Sequence, residues 1–345
     1  METQLVLKRL FLYCVSFIVL AVVLLTYWGV SITKWGKSAV DVPKAATIHF
    51  PSGTRLDELA GSLEASGVID DAFKFKLWVK FKGNYQRYQA GLYRFSGKIK
   101  PELVDEKLRK GKIYTPVVLQ FVIPEGFTLK QVINRLVANR IGTQKQLWTL
   151  VKDKKFLAEM GIKSDTLEGY IYPATYSFTT IPKPREILKH MVDSFWRKLP
   201  ERYLERIKAK KLSLHDAVTF ASLIELETSH EDEKNMISEV IWNRLKKREA
   251  LAIDAALIYG IKDYKGDIKW KHLRDKTNKY NTRIYKGLPP GPIGAVSSST
   301  LEAVLNPTSK GYYFYVLKAG TTRHHFSKTL REHNKHVKLL LEKQR

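Results

Sequence analysis

The chain has 345 residues, with 59 Lys and Arg against 34 Asp and Glu, a formal net charge of +25 and one cysteine. That length exceeds an average domain and supports two or three cores, while the lone Cys14 excludes an intramolecular disulfide and any cysteine-based metal site. The basicity points to an anionic neighbourhood: nucleic acid, lipid headgroups or an acidic polymer such as a cell wall. The bases are scattered along the chain, however, and the aromatic-plus-glycine signature of an RNA-binding sheet is missing, so no nucleic-acid partner is expected.

Leu10 to Ile32 runs without a charge, long enough to cross a bilayer as a helix, with Lys8 and Arg9 before it and Lys34 and Lys37 after it. It lacks a small-x-small cleavage site and carries Tyr27 and Trp28, with Trp35 just beyond, as interface aromatics, which favours an uncleaved anchor. With 1–9 as a short cytoplasmic tail, the rest of the chain is expected outside the cytoplasm, after a tether at 33–45.

Two segments then resemble each other: ATIHFPSGTRLDELAGSLEASGVI (46–69) and LQFVIPEGFTLKQVINRLVANRI (119–141). Each reads as strand, Pro-x-Gly turn, Thr and amphipathic helix, with Thr54 and Thr128 as expected caps. A helix near Phe73–Phe81, a strand at Gly91–Tyr93 and a helix at Pro101–Lys110 complete one α+β domain over 46–142. These units look like LysM-type modules, which bind glycan; a folded spacer is the alternative.

The remaining 143–345 is expected to form a mixed α/β domain centred on SLHDAVTFASLIELETS (213–229). Ser213 and Asp216 form a cap signature, and the apolar positions that follow suit a largely buried helix. Glu225 follows a small-residue face that includes Ala221 and Ser222; Glu227 lies about 200° away round the helix, so the two acids face apart. One carboxyl can then face a cleft, its pKa raised by desolvation, while the other is held by the fold; alternatively both sit at a solvated helix end. Adjacent His324 and His325 cannot both face one cleft from a strand, which argues against a metal site, with His325 the better functional candidate. Pro289–Pro292 reads as a rigid turn. No phosphate loop, nucleophile elbow or Cys/His pattern occurs, so neither cofactor nor metal is expected.

In order along the chain stand LEGYIYPATY, ASLIELET, NRL, DAALIYG, YNTR, GLPPGPI and HHFS with EHN. With these motifs the sequence resembles the endolytic murein transglycosylases of the MltG (YceG-like) family. The resemblance implies a membrane anchor, a LysM-like region and a catalytic domain that cleaves glycan strands of peptidoglycan internally at the inner membrane's outer face. It implies cell-wall synthases as partners and Glu225 as the acid/base that leaves 1,6-anhydromuramoyl ends. Glu227, Asp254, Asn281, Arg283 and His325 would support it; Glu168, Tyr172, Ser222, Tyr259, Thr282, Pro290, Glu332 and Asn334 would contact substrate, and Asn243 also matches. The chain departs from the family pattern at Leu251–Ala256, at Ala174 and at Ala295–Ser297. A non-catalytic glycan-binding scaffold and a hydrolytic muramidase are the rivals.

Overall fold

A computed structural model describes residues 2–343. The chain divides into two units, Met1–Pro116 and Val117–Arg345.

In the first unit, α1 (Glu2–Gly36) contains a 25-residue stretch, Leu12–Gly36, long and apolar enough to cross a membrane. Its end is tied down, for Trp35 Nε1 donates to Asp70 Oδ1 at 2.8 Å. β1 (Val40–Phe50) begins inside the expected tether and pairs antiparallel with β2 (Gly91–Ile99), breaking register between Val42 and Ala46, where Pro43 cannot donate to the ladder. The helices α2 (Leu56–Ala65), α3 (Ala72–Phe81) and α4 (Pro101–Arg109) bury Leu59, Leu63, Phe75 and Leu108 against Ile48, Tyr93 and Phe95. Burial of side chains this size contributes about 1.5–3 kcal/mol each. Thr54 is not the cap expected of it: Arg55 occupies the cap position, and the Thr54 hydroxyl donates to the Pro51 carbonyl.

The second unit opens with β3 (Leu119–Ile123) and α5 (Leu129–Ala138), the second repeat. Here the cap is as expected, with the Thr128 hydroxyl accepting from Gln131 N. The repeat was expected to close the first domain at 142, yet β3 pairs antiparallel with β4 (Ala174–Phe178), and Phe121, Ile133 and Leu136 join the second core. Its apolar face finds partners only downstream, so the boundary falls at 116/117.

Between the two strands lie α6 (Gln144–Leu150) and α7 (Lys154–Glu159). After them come α8 (Pro184–Arg197), α9 (Tyr203–Ala209), α10 (Leu214–Glu227), α11 (Glu231–Lys246), α12 (Asp254–Tyr259), α13 (Trp270–Leu273) and α14 (Ser298–Leu305). The antiparallel pair β5 (Phe314–Leu317) and β6 (His324–Ser327) and the helix α15 (Leu330–Lys343) finish the chain. Among the described residues every strand pairing is antiparallel and two-stranded, so the unit is α+β and not the mixed α/β layer expected.

The middle of this core is α10. Every residue from Ala217 to Glu225 is buried, and Ser213 and Asp216 form the expected capping box. Helices α9, α11, α12 and α14 pack round it. A helix surrounded on all sides needs small or apolar residues throughout, as Ala217, Val218, Ala221, Leu223 and Ile224 supply. Of its two buried hydroxyl residues, Ser222 is accommodated locally, its Oγ donating to the Thr219 carbonyl, while the Thr219 hydroxyl has no hydrogen-bond partner.

Candidate active site

The two acids near the end of α10 do face apart. Glu225 points inward with 1% of its side chain exposed, and both oxygens are engaged. Oε1 lies 3.2 Å from Lys234 Nζ, while Oε2 accepts from Ser297 N and Ser297 Oγ, each at 2.7 Å. Lys234, on the first turn of α11, is itself buried and reaches Glu231 Oε1 at 2.6 Å and Ser299 Oγ at 3.0 Å. Burial works to lower the Lys234 pKa, but the Glu231 and Glu225 carboxylates outweigh it and hold it above the ordinary value.

A third carboxyl meets this cluster from the second repeat. Glu125 sits in the Pro124–Gly126 turn, exposed, within hydrogen-bonding reach of the Glu225 carboxyl. Its pKa is raised, first by desolvation and then by the charge of Glu225, with Lys234 opposing. The turn is bolted in place: Gly126 N donates to the Ala295 carbonyl and Ala295 N to the Phe127 carbonyl, both at 2.8 Å. Gly126 adopts φ +71°, which a residue with a side chain disfavours. Tyr172 borders the same cluster, its pKa raised by burial and then by the charges of Glu125 and Glu225, with the nearby Ser298 N–H opposing.

On the opposite side of α10, Glu227 lies beside the Tyr315 hydroxyl. Desolvation raises its pKa; Tyr315 and His324 oppose, and the Asp254 charge adds to the rise. Asp254 in turn holds Arg283 Nη2 at 2.6 Å. Three expected supporting residues, Glu227, Asp254 and Arg283, therefore share one network. Arg244 braces it, donating to the carbonyls of Tyr313 and Leu251.

A third group lies toward the start of α10. Glu168 is buried, accepts from Leu129 N and the Tyr259 hydroxyl, and has its pKa pushed up to about 7 by desolvation. Glu168 and Tyr259 line a cavity of about 650 Å³ together with Tyr280, His215 and Pro290. His215 Nε2 sits 3.0 Å from the Pro290 carbonyl, fixing the proline turn to α10.

Several expected contact residues are placed elsewhere. Ser222 is fully buried, donating to Thr219 and accepting from Ile293 N, and Thr282 is spent on both backbone groups of Ile253; neither hydroxyl is free for a ligand. The Asn281 amide is buried among the carbonyls of His272, Leu273 and Asp275, so it orders its own loop. Asn243 likewise donates to the Tyr312 carbonyl. His325 stacks on His336 with ring centroids 4.2 Å apart. The histidine directed at the acid network is His324, 2.8 Å from Glu233 Oε2, because neighbours on β6 point to opposite sides. Glu332 is exposed and caps the backbone of Lys328 and Thr329, and Asn334 is exposed on α15. Among the described residues no group of three or more His, Cys, Asp and Glu suits a metal ion.

Glu125, Lys234 and Ser297 escaped the sequence reading. The visible signal was an acid inside the Pro-x-Gly turn of one repeat, where the other has Ser52. Ser297, within one of the departures from the family pattern, supplies two donors to Glu225. The apolar substitutions Leu251 and Ile253 are both buried.

Fold and site together define an α+β protein organised round a buried helix that carries clustered carboxyl groups. The chain belongs to the YceG-like family, whose profile matches residues 48–339. It is 30% identical over 321 residues to the endolytic murein transglycosylase of Bacillus subtilis strain 168, covering 87% of this chain and 88% of the relative. It is 27% identical over 322 residues to the protein of the same name from Streptococcus pneumoniae, covering 85% of this chain but 58% of the relative. The crystal structure of the yceG-like protein lmo1499 from Listeria monocytogenes superposes with a TM-score of 0.58 at 32% identity, covering 85% of this chain and 99% of that one.

Proposed function

We propose that this protein is an endolytic lytic transglycosylase of peptidoglycan, cutting the MurNAc–GlcNAc bond within glycan strands and leaving 1,6-anhydromuramoyl ends. The observation that carries this is the Glu225 site. Cleaving a glycosidic bond by water needs two carboxyls spaced about 5–5.5 Å apart for retention or about 6.5–9.5 Å for inversion, so that the anomeric centre fits between them. Glu125 lies within hydrogen-bonding reach of Glu225, closer than either spacing, and Glu227 faces the other way. What remains is one acid/base centre. That suffices for a lytic route: the acid protonates the bridging oxygen, and the resulting base takes the proton of the sugar's own C6 hydroxyl as it attacks the anomeric carbon.

In this reading α1 anchors the chain in the cytoplasmic membrane with the following units outside the cytoplasm, where the +25 charge suits an anionic wall. The first unit acts as a LysM-like glycan contact. Its support is an aromatic cluster of Phe50, Tyr85 and Tyr88 beside the Pro51–Thr54 turn, lining a cavity of about 400 Å³. Asp254, Arg283 and Glu227 keep α10 in register with the cleft wall, Tyr172 borders the scissile bond, and Glu168, Tyr259 and Pro290 line a further stretch of the glycan path. Wall synthases are the fitting partners for an enzyme that trims nascent strands.

Mass spectrometry of purified peptidoglycan digested by the full chain tests the reading. Anhydro ends are expected from the wild type and none from Glu225→Gln, which still binds sacculi. Reducing ends would point to a hydrolase, and no release at all to a scaffold.

A further inference from the structure

Glu225 is buried, and three protein donors occupy its two oxygens. A proton delivered to substrate therefore needs a route outward. Glu125 lies on that route: it is exposed, its carboxyl is within hydrogen-bonding reach of Glu225, and its turn is clamped to the segment that holds Ser297 against Glu225.

The two groups are positioned by one segment. Residues 294–297 carry Ser297, which fixes Glu225, and Ala295, whose carbonyl and N–H clamp the Glu125 turn. Gly294 lets the two loop segments meet, since a Cβ there would fall 2.5 Å from the Gly126 carbonyl oxygen. The charged and titratable groups facing Glu125 come from three elements: Glu225 on α10, Lys234 and Glu231 on α11, and Tyr172 on the loop before β4.

We propose that Glu125 is a second catalytic residue, the cleft-facing member of a proton-sharing pair with Glu225. Resting on the transglycosylase reading above, the cycle balances without water. Glu125 gives its proton to the bridging oxygen as the bond from that oxygen to the anomeric carbon breaks, and the leaving strand departs with a free hydroxyl. The C6 oxygen then bonds to the anomeric carbon, and its proton returns to the pair. Lys234, 3.2 Å from Glu225, balances the charge left on the carboxylates. Desolvation and the Glu225 charge, which raise the Glu125 pKa, act in the direction such a donor needs.

Single-turnover and steady-state release of anhydro ends by the full-length chain in detergent tests the role. Glu125→Gln, which keeps the side chain's shape, is expected to lose roughly 100-fold or more in kcat with KM within about threefold. Glu125→Ala is expected to regain at least tenfold of its lost rate with added formate, which a turn with only a structural role would not allow. Wild-type kcat in Glu125→Gln, or no formate rescue in a Glu125→Ala chain that melts like the wild type, overturns the proposal. A second readout needs no turnover: in carboxyl carbon NMR titrations the Glu125 midpoint is expected to drop by about one unit or more in Glu225→Gln. An unmoved midpoint overturns the pairing. A wild type that releases nothing while the midpoint still moves would sink the transglycosylase reading and the catalytic role, but leave the proton-sharing pair standing.

Discussion

Lys234→Met removes the cation from beneath Glu225 while keeping a chain of similar length. In the native protein the two side chains are 2% and 1% exposed, and Nζ lies 3.2 Å from Oε1. Deleting one partner of so buried a pair leaves an uncompensated carboxylate, at a cost of about 3–5 kcal/mol. The two Ser297 donors remain in both proteins and so do not offset the difference. The second Lys234 partner, Glu231, is 64% exposed and can return to water, so it adds little. Hydrogen-exchange protection of α10 amides in the detergent-solubilised full chain reads the effect locally, and the cost corresponds to roughly 10²- to 4 × 10³-fold faster exchange. Adding Glu225→Gln to Lys234→Met is expected to restore much of the protection, because the unpaired charge is gone. A Lys234→Met chain within about 1 kcal/mol of the wild type would show that Glu225 does not depend on this ion pair, and the site electrostatics described here would be wrong.

Three further outcomes are expected. Glu225→Gln abolishes strand cleavage with sacculus binding kept, measured by muropeptide mass spectrometry and co-sedimentation; normal turnover would refute the site. Glu168 has a folded pKa of about 7 against an ordinary 4.5, so its proton is held more tightly in the native state. The stability it contributes is therefore fully present below pH ~4.5 and lost as pH rises through ~7, about 3 kcal/mol in all; Glu168→Gln should flatten that limb of the melting temperature against pH. Gly294→Ala presses a methyl group against a backbone carbonyl that cannot yield. It is expected to cost about 1–3 kcal/mol and to lower product release at least tenfold by displacing the Glu125 turn, and unchanged release would separate that turn from catalysis.

Periodicity and capping were enough to find α10, the 46–69 and 119–141 repeats and the apolar α1, because each rests on spacing within a few turns of chain. The same local geometry showed that Glu225 and Glu227 face apart, since two residues along a helix are always about 200° from each other. Which acids, bases and hydroxyls meet Glu225 was another matter. Glu125 is 100 residues before it and Ser297 is 72 after it; they converge because the second repeat pairs β3 with β4 and clamps its turn to Ala295. For the same reason sequence alone could not tell that Ser222 and Thr282 spend their hydroxyls on backbone, or that His324 rather than His325 turns to the acid network. Sequence determines which residues are within reach along one element. Only the long-range packing decided which of them share a buried site, because contact between distant segments depends on how every element between them folds.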